Sequence, residues 1–226
     1  CFKKFNKASF AFNQGLDKAI IKPLAKSYRN LPDPIQKGTS NAVKNLSNLI
    51  TIPNNILQGD VDLAIINTGR LLVNTTIGIL GTVDVANKMG FPKYEKEDYG
   101  QTLGAWGIGP GCYLVLPVLG PSSLRDTVGS FANVMGGDPW YNASVHGNNE
   151  FLNESIFLTS KALSGIDFRA NNIESFENLE KNSVDFYASV KSLYLQDREN
   201  KIKNNQRGNI EIIYEDEQGW EEIDKK

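Results

Sequence analysis

The stretch LGAWGIGPGCYLVLPVLG, Leu103 to Gly120, runs for eighteen residues without a charge. Length and apolarity alone would make it a transmembrane helix. Its five glycines and two prolines oppose that reading, because both residue types disfavour helix interiors. Non-helical backbone persists at membrane depth only where protein buries it or it lines a cavity. The segment therefore reads as a bent, buried loop or broken hairpin. No uninterrupted helix longer than about three turns is expected there.

Outward from this stretch the signals are helical. Phe5, Phe12 and Leu16, then Ile20, Ile21 and Leu24, recur at helical spacing with lysines between them. Pro23 lies inside the run, so a kink or break is expected beside it. Asp33 and Pro34 read as an N-cap followed by proline at the first helical position, with Ile35, Val43 and Leu46 on one face. Asp60 is placed to cap the next helix, whose face carries Leu63, Ile66, Leu71, Leu72 and Ile65. Ser122 or Ser123 caps another, with Leu124, Val128, Phe131 and Met135. The longest helix is expected from about 172 to 203, with Phe176, Leu179, Phe186, Tyr187, Val190, Leu193 and Tyr194 on one stripe. Only Ile210 to Tyr214 looks extended.

The chain has 24 basic and 26 acidic residues, giving no global field for nucleic acid. Seven of the acids fall between Gly208 and Lys226, against two lysines. The apolar periodicity ends after about 204, so a single helical domain is expected over 1–204. Residues 205–226 are expected to form an acidic, disordered tail. Two cysteines, Cys1 and Cys112, are too few for a disulfide framework. A mature bacterial lipoprotein begins at a lipidated cysteine, and a chain cut at an arbitrary point can begin at one too; the rarity of cysteine favours lipidation at Cys1.

Catalytic patterns are thin. His146 is the single histidine, and no GxSxG elbow exists to pair with it, so it reads as a solvated loop residue. Cys112 has no neighbouring positive charge to activate it and reads as a small buried apolar residue. The glycines at 104, 107, 109 and 111 fit neither phosphate-loop spacing. Asp84, Asp98 and Asp126 default to helix-dipole and ion-pair roles. The chain is not expected to be an enzyme, nor to hold a metal or cofactor.

The sequence resembles the MlaA (VacJ) family of outer-membrane lipoproteins. FN at 5–6, KP at 22–23, QGD at 58–60, GRLLVNTTIGILGTVDVA at 69–86 and DYGQTLGAWGIGPGCYLVLPVLGPSSLRD at 98–126 carry the resemblance. It runs nearly continuously from Phe5 to Asp126 and more weakly through the long helix. Cys1 departs from the pattern, standing where the family has a proline. The resemblance implies an all-α, ring-shaped protein of amphipathic helices in the inner leaflet of the outer membrane of a Gram-negative bacterium, with a Gly/Pro-rich hairpin and a polar C-terminal tail. It implies an amphipathic channel that lets misplaced phospholipid leave the outer leaflet. The implied partners are phospholipid, a trimeric porin of the outer membrane and a soluble periplasmic lipid carrier.

By the same pattern Gly107, Gly109, Pro110, Gly111, Tyr113, Leu114, Leu116 and Pro117 belong to the channel wall or hairpin; equally, they build only a tight turn. Two other functions compete: a scaffold lipoprotein that moves no lipid, and a lipid hydrolase. A transporter needs an amphipathic cavity crossing the fold, a scaffold is solid there, and a hydrolase needs a convergent nucleophile and base.

Overall fold

The structure, a computed structural model, describes residues 1–147 and 152–206. Helix α1 (Lys3–Leu16) runs through a π turn at Asp17–Ile21 into α2 (Lys22–Arg29), where Pro23 occupies the first turn. The expected interruption beside Pro23 is this π turn, since proline there has no N–H to give to the preceding ladder. Next come α3 (Asp33–Leu57), α4 (Val61–Thr76), the short α5 (Val85–Lys88) and α6 (Tyr99–Ala105). Strands β1 (Tyr113–Leu116) and β2 (Gly120–Ser123) pair antiparallel, Tyr113 opposite Ser123 and Leu116 opposite Gly120. Helix α7 (Leu124–Ala132), the single-turn α8 (Pro139–Tyr141), α9 (Glu154–Asn171), α10 (Ile173–Asn182) and α11 (Phe186–Gln206) follow among the described residues. The fold is all-α with one small hairpin.

Several local readings change. Asp33 is the first helical residue of α3, and Pro32 in extended conformation is its cap. The helix expected over 172–203 is two helices, α10 and α11, with a break at 183–185. Asp185 restarts the second by accepting the Ala188 N–H at 3.0 Å. Ser123 is the cap of α7, accepting from Asp126 N at 3.1 Å. Extended structure lies in the hairpin, and the segment 210–214 falls outside the described residues.

On α1, α4 and α7 large apolar side chains face outward. On α4 the buried positions are Ala64, Asn67, Arg70 and Asn74, while Ile65 and Leu72 are 66% and 60% exposed. On α7 the buried positions are Arg125, Asp126 and Gly129; Leu124, Val128 and Phe131 face out, as do Phe5 and Phe12 on α1. The buried face of α3 is built largely of asparagines, at 45, 48, 54 and 55. Buried polar groups persist when they satisfy one another. Here Asn67 donates to Asn55 at 2.9 Å, Thr102 to Asn54 at 2.6 Å, and Asn74 to Asp84 at 3.0 Å. Arg70, 3% exposed, grips Asp84 through both carboxylate oxygens. An amphipathic helix announces two faces, but the solvent around it decides which one turns inward. No helix among the described residues is long and apolar enough to cross a membrane.

The hairpin is fastened to α1 by side chains. Asn6 donates to Tyr113 O at 2.8 Å and accepts from Val115 N at 3.0 Å. Two turns on, Asn13 repeats the grip, donating to Leu116 O at 2.9 Å and accepting from Val118 N at 2.7 Å. A disulfide joins Cys1 to Cys112, whose Cα atoms lie 5.7 Å apart. One expectation is corrected by it. Cys112 is half of a cross-link rather than an apolar filler, because the hairpin returns it to the start of α1.

Candidate functional site

A cavity of about 460 Å³ opens among α3, β2, α7, α9 and α11. Helix α3 gives it Val43, Leu46, Ser47 and Ile50; β2 and its turn give Leu119, Pro121 and Ser122. Six charged side chains line it as well: Lys96, Asp98, Asp126, Asp138, Lys161 and Arg198. Its size falls in the range of about 300–1,000 Å³ common to small-molecule sites. Its mixture of charge, hydroxyl and aliphatic groups suits an amphipathic occupant.

Sequence and packing set most of these charges in fixed positions. Asp98 caps α6, accepting the Gln101 N–H at 2.9 Å, and is held by Arg198 through both nitrogens at 2.7 and 2.8 Å. Burial would raise its pKa, but the Arg198 guanidinium and the Gln101 donors outweigh burial and hold it at about 2. Arg198 reaches on to Asp126 at 3.0 Å, and Arg125 closes on the same carboxylate at 2.9 Å. The Tyr194 hydroxyl also donates to Asp126. Asp126 likewise titrates low: burial works against its ionised form, and the neighbouring arginine charges and hydrogen-bond donors prevail. Lys161 pairs with the buried Asp138 at 3.2 Å. Lys96 stands in the loop before α6; burial lowers its pKa.

This network depends on close backbone contact. Gly100 in α6 sits beneath Asp126 and Arg198, and any Cβ there would lie 2.5 Å from Asp126 Oδ1. The ion-pair reading of Asp84, Asp98 and Asp126 therefore holds for all three, each being paired with arginine and each accepting from a helix's first turn or lying in one. His146 is exposed and edge-on to Tyr141, in a π turn (Asn142–His146) rather than a loop.

The residues expected at the channel wall fall elsewhere in the hairpin. Gly107, Gly109, Pro110, Gly111 and Pro117 are exposed, Leu114 and Leu116 half-buried, and Tyr113 buried. None of the eight lines the cavity, which is met by Leu119, Pro121 and Ser122 of the returning arm. Lys96, Asp138, Lys161 and Arg198 were not legible as site residues. They lie on four separate elements, and no spacing in the sequence links them.

These features define a class: an all-α protein with a polar, ion-paired interior around a cavity and apolar side chains on its outer face. The chain belongs to the MlaA lipoprotein family, whose family model matches residues 1–201. It is 31% identical over 222 residues to the intermembrane phospholipid transport system lipoprotein MlaA of Escherichia coli K12, covering 94% of this chain and 84% of that protein. An uncharacterized protein of Rickettsia bellii is 34% identical over 204 residues, 89% of this chain and 76% of that one. A solved chain from work on the structural basis for maintenance of bacterial outer membrane lipid asymmetry superposes with a TM-score of 0.75 at 30% identity. It covers 89% of this chain and 98% of its own length.

Proposed function

We propose that this protein carries phospholipid out of the outer leaflet of a Gram-negative outer membrane, through its central cavity, toward a soluble periplasmic carrier. The observation that carries the reading is the inverted distribution of polarity. The interior is asparagine, arginine and carboxylate, and the outer face is Phe5, Phe12, Ile65, Leu72, Val128 and Phe131. Such an apolar outer face is unfavourable in water and fits the acyl region of a bilayer leaflet. The helices then lie within one leaflet, and a trimeric porin positions the protein. The E. coli relative's membership of a phospholipid transport system supports the same reading. A cavity of about 460 Å³ among the helices weighs against a solid scaffold, and the carboxylates lining it are engaged in ion pairs rather than paired with a nucleophile. The protein acts without catalysis in this proposal. Its Gly/Pro-rich arm, Gly107 to Pro117, backs the strand that meets the cavity and sets that strand's position.

The experiment has two readouts. Purified in detergent, the protein should retain phospholipid, and cells lacking it should accumulate phospholipid in the outer leaflet. Recovery as a lipid-free monomer without detergent, with an unaltered outer leaflet in the deletion strain, would end the proposal.

A further inference from the structure

One ion pair of the cavity differs from the others. Arg198 holds Asp98 through both terminal nitrogens at 2.7 and 2.8 Å and reaches Asp126 at 3.0 Å, so those two carboxylates are closed by several contacts. Lys161 meets Asp138 at 3.2 Å, through one nitrogen and one oxygen. The two partners are unequally free. The Asp138 side chain is only 5% exposed, and its Oδ1 is tied down by the Trp140 and Tyr141 amides at 2.9 and 3.4 Å. The Lys161 side chain is 54% exposed, and its ammonium also lies 5.0 Å from the centre of the Phe157 ring, one turn back on α9. A fixed carboxylate therefore lines the cavity beside a lysine that can swing aside. Lys96, the remaining cation of the lining, is exposed and stands in the attraction of Asp98 and Asp138. Three cations, Lys96, Lys161 and Arg198, thus face three carboxylates across the lining.

We infer that the Lys161–Asp138 pair is a headgroup clasp, which opens to take the zwitterionic ethanolamine phosphodiester of a phospholipid. This inference rests on the phospholipid-carrying reading above and names the headgroup class. A headgroup that draws Lys161 away leaves Asp138 a buried carboxylate without its cation, and such a loss is strongly unfavourable. A zwitterion makes the loss good. Its phosphodiester takes the Lys161 ammonium, and its own ammonium takes the place of Lys161 on Asp138 Oδ2. Both halves of the pair are satisfied again, and the charge balance of the lining is kept. A glycerol headgroup brings the phosphate without a cation and strands Asp138. A choline headgroup brings a cation without an N–H, so it cannot replace the hydrogen bond that Lys161 gave. Discrimination then comes from the group left unpaired by the wrong headgroup. Free phosphoethanolamine shares the favoured chemistry, but Val43, Leu46, Ile50 and Leu119 line the same cavity. Those aliphatic groups suit the glycerol and acyl carbons of a lipid and give nothing to a small soluble zwitterion.

The test uses the full chain in detergent, as wild type, Asp138→Asn and Lys161→Gln. Each is incubated with mixed micelles holding equal amounts of phosphatidylethanolamine, phosphatidylcholine and phosphatidylglycerol, with and without excess soluble phosphoethanolamine. Lipid recovered with the protein is identified by mass spectrometry and compared with protein-free micelles. Wild type should retain phosphatidylethanolamine about tenfold over the other two, the effect of one charge-assisted hydrogen bond. Asparagine can accept from the same backbone amides, so Asp138→Asn should fold, and its preference should drop below about twofold. Lys161→Gln leaves Asp138 open to the incoming ammonium and should keep the preference; it decides the matter if Asp138→Asn does not fold. Excess phosphoethanolamine should leave most of the bound lipid in place. Equal retention of the three lipids by wild type would overturn the ethanolamine assignment while leaving lipid carriage standing. A preference unchanged in Asp138→Asn, or lost in Lys161→Gln, would overturn the clasp. Complete displacement by phosphoethanolamine would overturn the lipid as its occupant. Wild-type protein that retains none of the three lipids would overturn this inference together with the reading beneath it.

Discussion

Gly129 of α7 lies directly on Gly100 of α6, so closely that a Cβ on Gly129 would stand 2.4 Å from the Gly100 nitrogen. The two helices cross backbone to backbone, and that contact brings Asp126 within reach of Arg198 and sets Asp98 beside it.

A methyl group at Gly129 has no room to relax, since backbone stands on the other side. Gly129→Ala should therefore cost about 1–3 kcal/mol by forcing the helices apart. Gly165→Ala serves as the contrast: it lies in α9 with nothing within 4 Å of its would-be Cβ. That change should stabilise by up to about 1 kcal/mol through helix propensity. Thermal melts in one detergent decide between them. Equal effects would mean the crossing tolerates expansion.

Asp98 gives the fold an acid limit. Its pKa is about 2 in the folded protein against an ordinary 3.8, so folding favours the ionised form. The resulting stability is fully present above about pH 4 and is lost as pH falls from there through about 2. With its side chain 31% exposed, the contribution should be about 1–2 kcal/mol after allowance for solvent screening. Denaturant midpoints taken from pH 5 to pH 2 should fall more steeply in wild type than in Asp98→Asn. Parallel slopes would assign the acid sensitivity to other carboxylates.

The sequence made the hairpin legible through what it forbade: glycine and proline excluded a helix over 103–120, and none forms there beyond the end of α6. It could not announce β2, because Gly-Pro-Ser-Ser has no strand propensity and becomes extended by pairing with Tyr113–Leu116. Helical periodicity placed α1, α4 and α7 well, but periodicity by itself does not say which face turns outward. Ile65 and Leu72 form a stripe that points outward in this fold and would point inward in an aqueous one. The break before α11 carried only a serine and an aspartate as signals, Ser183 and Asp185, and no glycine or proline.

Two glycines of the hairpin arm should respond differently to a side chain. Gly111 has φ +64° and its Cβ would lie 3.3 Å from Leu124 Cβ, whereas Gly109 has open space and no positive φ. Gly111→Ala should cost about 1–2 kcal/mol for the left-handed backbone. Gly109→Ala should be near neutral, within about 0.5 kcal/mol, as surface changes usually are. Melting of both variants checks this, and a loss at Gly109 equal to that at Gly111 would contradict it.

The Cys1–Cys112 link closes a loop with a sequence separation of 111 residues. Cross-links that span long loops restrict the unfolded chain most, and removing one typically costs about 2–5 kcal/mol. Cys112→Ser should lower the denaturant midpoint accordingly, and reductant should do the same to wild type while leaving the variant unmoved. An unchanged midpoint in both cases would show that the asparagine contacts alone secure α1.

Those asparagines have one more consequence. A two-stranded ribbon ordinarily leaves an open edge, where unpaired amides and carbonyls invite another chain to add itself as a third strand. On β1 that edge is already taken: the carboxamides of Asn6 and Asn13 answer Tyr113, Val115, Leu116 and Val118 as a neighbouring strand would. A helix thereby impersonates a strand, and the greasy segment Tyr-Leu-Val-Leu, which by composition is prone to cross-β stacking, offers no vacant edge on that side for recruitment in a crowded envelope.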